Sequence, residues 1–115
     1  MKKVLVVDDD EDILEVVEYV LTSHGFDVHT HTTGLNVPEV IKDYKPNLIL
    51  LDIKLPGKLG TEVCNELKQK HTIPIILFSA HMAKQEALAT CNADAFMQKP
   101  FDINNLVNAI NLLLK

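Results

Sequence analysis

Leu48-Ile49-Leu50-Leu51-Asp52 is an unbroken apolar run that ends on a carboxylate. Val4-Leu5-Val6-Val7 ends the same way, on Asp8-Asp9, and Ile75-Ile76-Leu77-Phe78 ends on Ser79. A fourth run, Ala95-Phe96-Met97-Gln98, leads into Lys99-Pro100. Apolar runs without strict alternation suit strands covered on both faces, and hence a parallel sheet. In an open parallel sheet the carboxyl ends lie side by side, and ligands bind there where the strand order reverses. Three carboxylates, a hydroxyl and an ammonium therefore meet on one sheet edge, a set suited to an oxyanion and a hard cation.

Outward from these runs the chain alternates apolar strand, polar turn and amphipathic helix. Strands are expected at about 3–7, 27–31, 47–52, 74–79 and 94–98. Helical spacing relates Ile13, Leu14, Val17, Val20 and Leu21, and His24-Gly25 supplies a stop. A second helix carries Val37, Val40, Ile41 and Tyr44, with Pro38 in its first turn. A third carries Leu59, Val63 and Leu67, and the last carries Ile103, Leu106, Val107, Ile110 and Leu114. The weakest helical pattern covers roughly 83–91, where alanines bury little area, and Asn92 is expected in a left-handed position after it. Five strands alternating with five helices predict an α/β doubly wound (βα)5 sandwich with right-handed crossovers.

At 115 residues the chain is expected to form one domain, spanning 1–115. Its formal charge of −5 argues against nucleic-acid binding, which needs a concentrated basic face. No apolar run approaches the length of a membrane span, and Met1-Lys2-Lys3 enters a strand at once, so neither membrane attachment nor a signal peptide is expected. Cys64 and Cys91 read as reduced thiols in a core, which suits a cytoplasmic setting.

In this order the motifs resemble the response-regulator receiver domain of two-component signalling, along the whole chain. The likeness rests on the double acid Asp8-Asp9, the lone Asp52, Ser79 and Lys99-Pro100 after successive strands. Leu55-Pro56-Gly57, Ala93-Asp94 and Phe96 add to it. The resemblance implies flavodoxin-like strand order 2-1-3-4-5 and a phosphoryl group accepted on Asp52 as 4-aspartylphosphate. The donor would be a sensor histidine kinase or histidine phosphotransfer protein. It implies Mg²⁺ held by Asp9, Asp52 and the backbone carbonyl of Lys54, with Asp8 acting mainly through water. Lys99 would supply an ammonium to the phosphoryl oxygens and Ser79 a hydroxyl. Ser79 and Phe96 would then switch a surface for a downstream protein target, or for an effector domain missing from this chain. Such a domain is not an enzyme with a separate substrate; it catalyses its own phosphorylation and dephosphorylation. Pro100 would permit an uncommon cis Lys99-Pro100 bond.

The chemistry gives these residue types a reason. Phosphoryl transfer gathers negative charge on the equatorial oxygens, so the site must supply cations as well as a nucleophile. An ionised Asp52 beside two other acids would repel an anionic donor, and a hard divalent ion with oxygen ligands removes that conflict. Asp10, Glu11 and Asp12 read instead as acids starting a helix. His29 and His31 share one strand face and read as ordinary surface histidines, while Lys54 and His81 are expected at the rim of the site.

Several features depart from the resemblance. Phe96 lacks the hydroxyl of the commoner Tyr, so an exposed state would gain no hydrogen bond. Asn92 and Ala95 stand where Gly and an acid are common. The last helix, with Asn104, Asn105, Asn108 and Asn111, lacks the basic residues used in one receiver dimer mode. Two rivals remain: a degenerate receiver that binds protein without phosphorylation, and a haloacid-dehalogenase-like phosphatase suggested by Asp8-x-Asp10. Asp12 stands where the latter expects Thr or Val.

Overall fold

The computed structural model describes residues 1–79, 91–99 and 102–114. Its strands are β1 (Lys3–Val7), β2 (Asp27–His31), β3 (Leu48–Asp52), β4 (Ile75–Ser79) and β5 (Ala95–Gln98). The described helices are α1 (Glu11–Ser23), α2 (Val37–Tyr44), α3 (Gly60–Lys70) and α4 (Ile103–Leu113). The strands form one parallel sheet in the order β2-β1-β3-β4-β5, as expected. Residues 83–90 of the helix expected over 83–91, together with His81 and Pro100, lie outside the described residues.

Strand periodicity divides the core into two layers. Leu5, Val7, Ile49, Leu51, Ile75 and Leu77 point to one face and pack with Val37 and Ile41 of α2 and Val63, Cys64 and Leu67 of α3. Val4, Val6, Leu48, Leu50, Ile76 and Phe78 point to the other, against Leu14, Val17 and Leu21 of α1 and Leu106, Val107 and Ile110 of α4. Because both faces of β1, β3 and β4 are covered, their side chains are apolar at consecutive positions rather than alternate ones. Edge strand β2 is only half-buried and can carry Asp27 and His29.

Local signals set the helix ends. Asp10 caps α1, its carboxylate accepting the N–H groups of Asp12 at 3.0 Å and Ile13 at 3.4 Å. At the other end Gly25, at φ 88°, turns the chain out of the helix. Phe26 N–H donates to Leu21 O at 3.0 Å and Gly25 N–H to Thr22 O at 3.1 Å, while Phe26 and Leu21 share the core. This pairing satisfies two terminal carbonyls and aims the chain into β2. Two expectations need correction. Leu59 is exposed and caps α3 instead of packing within it, because the helix starts at Gly60. The left-handed non-glycine positions among the described residues are Asn36 and Lys45, not Asn92.

Candidate functional site

The reversal of strand order falls between β1 and β3, and their carboxyl ends present Asp8 and Asp52. Asp8 extends β1 by one residue, donating its N–H to His31 O at 3.0 Å. Its side chain is fully buried. Oδ1 accepts the Asp10 N–H at 3.0 Å, an Asx turn that leads the chain into α1. Oδ2 accepts from Lys99 Nζ at 3.0 Å. Asp52 is the last residue of β3 and is 5 % exposed, so its carboxylate also lies below the surface.

Lys99 follows β5 and joins the two carboxylates across the sheet edge. Its N–H donates to Ser79 O at 3.0 Å, continuing the β4–β5 ladder. Its ammonium stands 3.5 Å from Asp52 Oδ2 and 4.8 Å from the centre of the Phe78 ring. That ring supplies an apolar and weakly cation-attracting support for the lysine head. Ser79, closing β4, is buried. An open cleft of about 240 Å³ collects Asp8, Asp9, Asp52, Lys54, Ser79 and Lys99, with Asp10 as an addition. Every site residue expected at a strand end, and Lys54 beyond β3, therefore lines one cleft.

The glycine at 60 explains how α3 can start so close to Asp52. A Cβ there would run into the backbone carbonyl of Asp52, so only glycine allows the approach. Its N–H donates to Ile53 O at 2.8 Å and closes the turn that carries Lys54.

Charge in the cleft is unbalanced. Asp8, Asp9 and Asp52 each offer a carboxylate oxygen, and the three atoms lie within 4.8 Å of one another. Burial, then the neighbouring Asp8 charge, raises the Asp52 carboxyl from its ordinary 3.8 to about 6, and Lys99 only partly opposes this. A cluster of hard oxygen donors with surplus negative charge, one carboxylate exposed and two buried, fits a divalent cation such as Mg²⁺.

Other expected residues divide differently. Phe96 is half-buried and packs on the core layer under α2 and α3. Asp94 works away from the cleft, accepting the Ile75 N–H at 2.8 Å and pairing with Lys68 at 2.8 Å. His29 stacks on Tyr44 with ring centres 5.1 Å apart. His31, read from sequence as a surface residue, is half-buried and bonded through Nε2 to Leu35 O at 2.7 Å. The Phe78 platform has no sequence signal of its own, since an aromatic before Ser79 reads as core. The sequence signal for Asp10's main-chain contact with Asp8 is the two-residue spacing of an Asx turn.

Comparison with known proteins agrees with this geometry. The family model described as response regulator receiver domain matches residues 4–111. The N-terminal receiver domain of RstA from Klebsiella pneumoniae, solved in a BeF3-activated form, superposes with a TM-score of 0.93 at 30% identity, covering 99% of both chains. The receiver domain of NtrX from Brucella abortus gives 0.87 at 30% identity, covering 96% of this chain and 97% of its own. A CheY-like receiver domain protein from Methanospirillum hungatei gives 0.90 at 29% identity, covering 99% and 94%. The strand order, the acid-lined edge and the match over residues 4–111 together place this chain in the response regulator receiver domain family.

Proposed function

We propose that Asp52 accepts a phosphoryl group from a histidine of a partner kinase or phosphotransfer protein. An Asp52 carboxylate oxygen bonds to phosphorus as the phosphorus–nitrogen bond to the donor breaks, and the imidazole leaves with the electron pair. The reading is carried by one observation: a buried Asp52 carboxylate at the end of β3 shares Lys99 with a second buried acid, Asp8. Asp8, Asp9, Asp52 and the Lys54 carbonyl are the proposed holders of Mg²⁺. When bound, that ion offsets the carboxylate charge and the charge gathered on the phosphoryl oxygens.

Lys99 needs little movement in this scheme. Its ammonium already lies between Asp8 and Asp52 and would exchange a carboxylate contact for a phosphoryl oxygen. The Ser79 hydroxyl would bond another oxygen, and Phe96 would respond from the adjoining strand, changing the surface offered to a target. The domain thus catalyses gain and loss of its own phosphoryl group, in a cytoplasmic setting suited to two buried cysteines that form no disulfide.

Acetyl phosphate with Mg²⁺ supplies the test. Intact-mass analysis should show one added phosphoryl on the wild type and none on Asp52→Asn. Equal uptake by the variant would remove Asp52 as acceptor; no uptake by either would favour a receiver that binds protein without phosphorylation.

A further inference from the structure

The loop after Asp52 is held on its outer side by a neighbouring loop, and His31 sits at the root of that contact. His31 Nε2 lies 2.7 Å from Leu35 O; a carbonyl can only accept, so this nitrogen carries the proton and donates. Thr33 Oγ1 accepts the Leu35 N–H at 3.1 Å and tightens the same turn. The turn presents Gly34 N–H to Pro56 O at 3.0 Å. Contact at Gly34 is so close that a Cβ would strike the Lys58 backbone carbonyl, and a Cβ at Gly57 would strike the Leu35 side chain. Pro56 and Lys58 flank Gly57 in the loop that carries Lys54 and returns to Gly60 beneath Asp52.

We infer that His31 is a positioning residue for the phosphoacceptor site: its ring folds the 32–36 turn into a clasp that fixes the 53–59 loop, and with it the Lys54 carbonyl. The clasp rests on the proposed function for its consequence, metal and phosphoryl binding, but not for its existence. His31 touches no reacting group. Its backbone carbonyl receives the Asp8 N–H, so the same residue fixes one metal-side acid through its main chain and the opposite loop through its ring.

Two readouts separate the clasp from the reading of the site. In metal-free protein, His31→Ala should speed amide exchange at Gly34 and also at Gly60, whereas His31→Gln, which keeps a side-chain N–H donor, should restore much of the protection. Gly34→Ala, which forces the two loops apart, should mimic the loss. In a Mg²⁺ titration His31→Ala and Gly34→Ala should each weaken binding by roughly tenfold, the low end for outer partners of metal ligands. His29→Ala, on the same strand but outside the clasp, should leave both readouts unchanged. Faster exchange confined to Gly34, or Mg²⁺ affinity within about twofold of wild type, would overturn the positioning role. Wild-type protein that binds no Mg²⁺ would instead sink the site reading, and exchange at Gly60 would still decide whether the clasp reaches that loop.

Discussion

The two edges of the sheet carry the same kinds of residue to opposite ends. At the amino edge Asp94 meets one lysine, Lys68, at 2.8 Å and one strand amide, Ile75 N–H, at 2.8 Å. Lys68 also donates to Ile73 O at 3.2 Å, and the Lys3 N–H donates to Asn47 Oδ1 at 2.8 Å, so these groups staple the strand starts together. At the carboxyl edge three carboxylates crowd within 4.8 Å, and Lys99 is the cation the described residues bring within bonding distance of two of them. Matched charge at one edge stabilises the fold. Surplus charge at the other opposes it, and such a surplus persists where a ligand is meant to neutralise it. Charged residues at a strand end do not identify a site; their imbalance does.

The largest effect expected from this contrast is one of sign. Without metal at pH 7, Asp52→Asn removes a carboxylate held near 6 rather than 3.8, and should stabilise the protein by ~2–3 kcal/mol. Asp94→Asn removes the charge from a bonded carboxylate and should cost ~1–2 kcal/mol. Urea unfolding in EDTA measures both. Destabilisation by both variants would erase the distinction between the edges.

Much of this was readable in advance, for identifiable reasons. β1, β3 and β4 were legible because burial on both faces demands consecutive apolar residues, and the residue closing each run then falls on the carboxyl edge. Asp10 was legible as a cap because its acids stand just ahead of an apolar helical repeat. Leu59 misled because its spacing to Val63 and Leu67 fits a helix, while the close approach that starts the helix at Gly60 depends on a backbone contact with Asp52. Asn92 failed similarly: asparagine permits a left-handed turn without requiring one. His31 was opaque, since its partner is a main-chain carbonyl in a loop whose path no periodicity predicts.

The pH dependence should sharpen the comparison. Asp52 holds its proton more tightly when folded, so its contribution to stability is fully present below about 4 and lost as pH rises through about 6. Wild-type stability in EDTA, taken relative to Asp52→Asn, should therefore fall by ~2–3 kcal/mol across that window and level off above it. Saturating Mg²⁺ should shrink the difference at neutral pH. A difference that rises with pH would mean that Lys99 outweighs Asp8 and burial.

A smaller effect distinguishes acids within one run. Asp9 offers an oxygen to the carboxylate cluster, whereas Asp12 lies in the first turn of α1. Asp9→Ala should weaken Mg²⁺ binding by about tenfold, ~1.4 kcal/mol, and Asp12→Ala should leave it nearly unchanged. Equal losses in calorimetric titration would show that the whole acidic run acts as a diffuse field.

The smallest effect belongs to the amino edge. Lys68→Met keeps most of the stem but removes the ammonium from Asp94 and from Ile73 O. The lysine side chain is only 14% exposed, yet Asp94 is 33% exposed and retains the Ile75 N–H, so neither partner is left as a buried orphan. A partly solvated pair of this kind is worth roughly 0.5–1 kcal/mol, and the loss should shrink in high salt because solvent ions screen the wild-type pair. Phosphoryl uptake from acetyl phosphate should not change, since the substitution lies at the strand starts. A loss much above 1 kcal/mol in urea unfolding would mean the amino edge is held by charge more strongly than its geometry implies. A changed rate of phosphoryl uptake would mean that the two edges communicate through the sheet, and the division between a stapled edge and a reactive one would not stand.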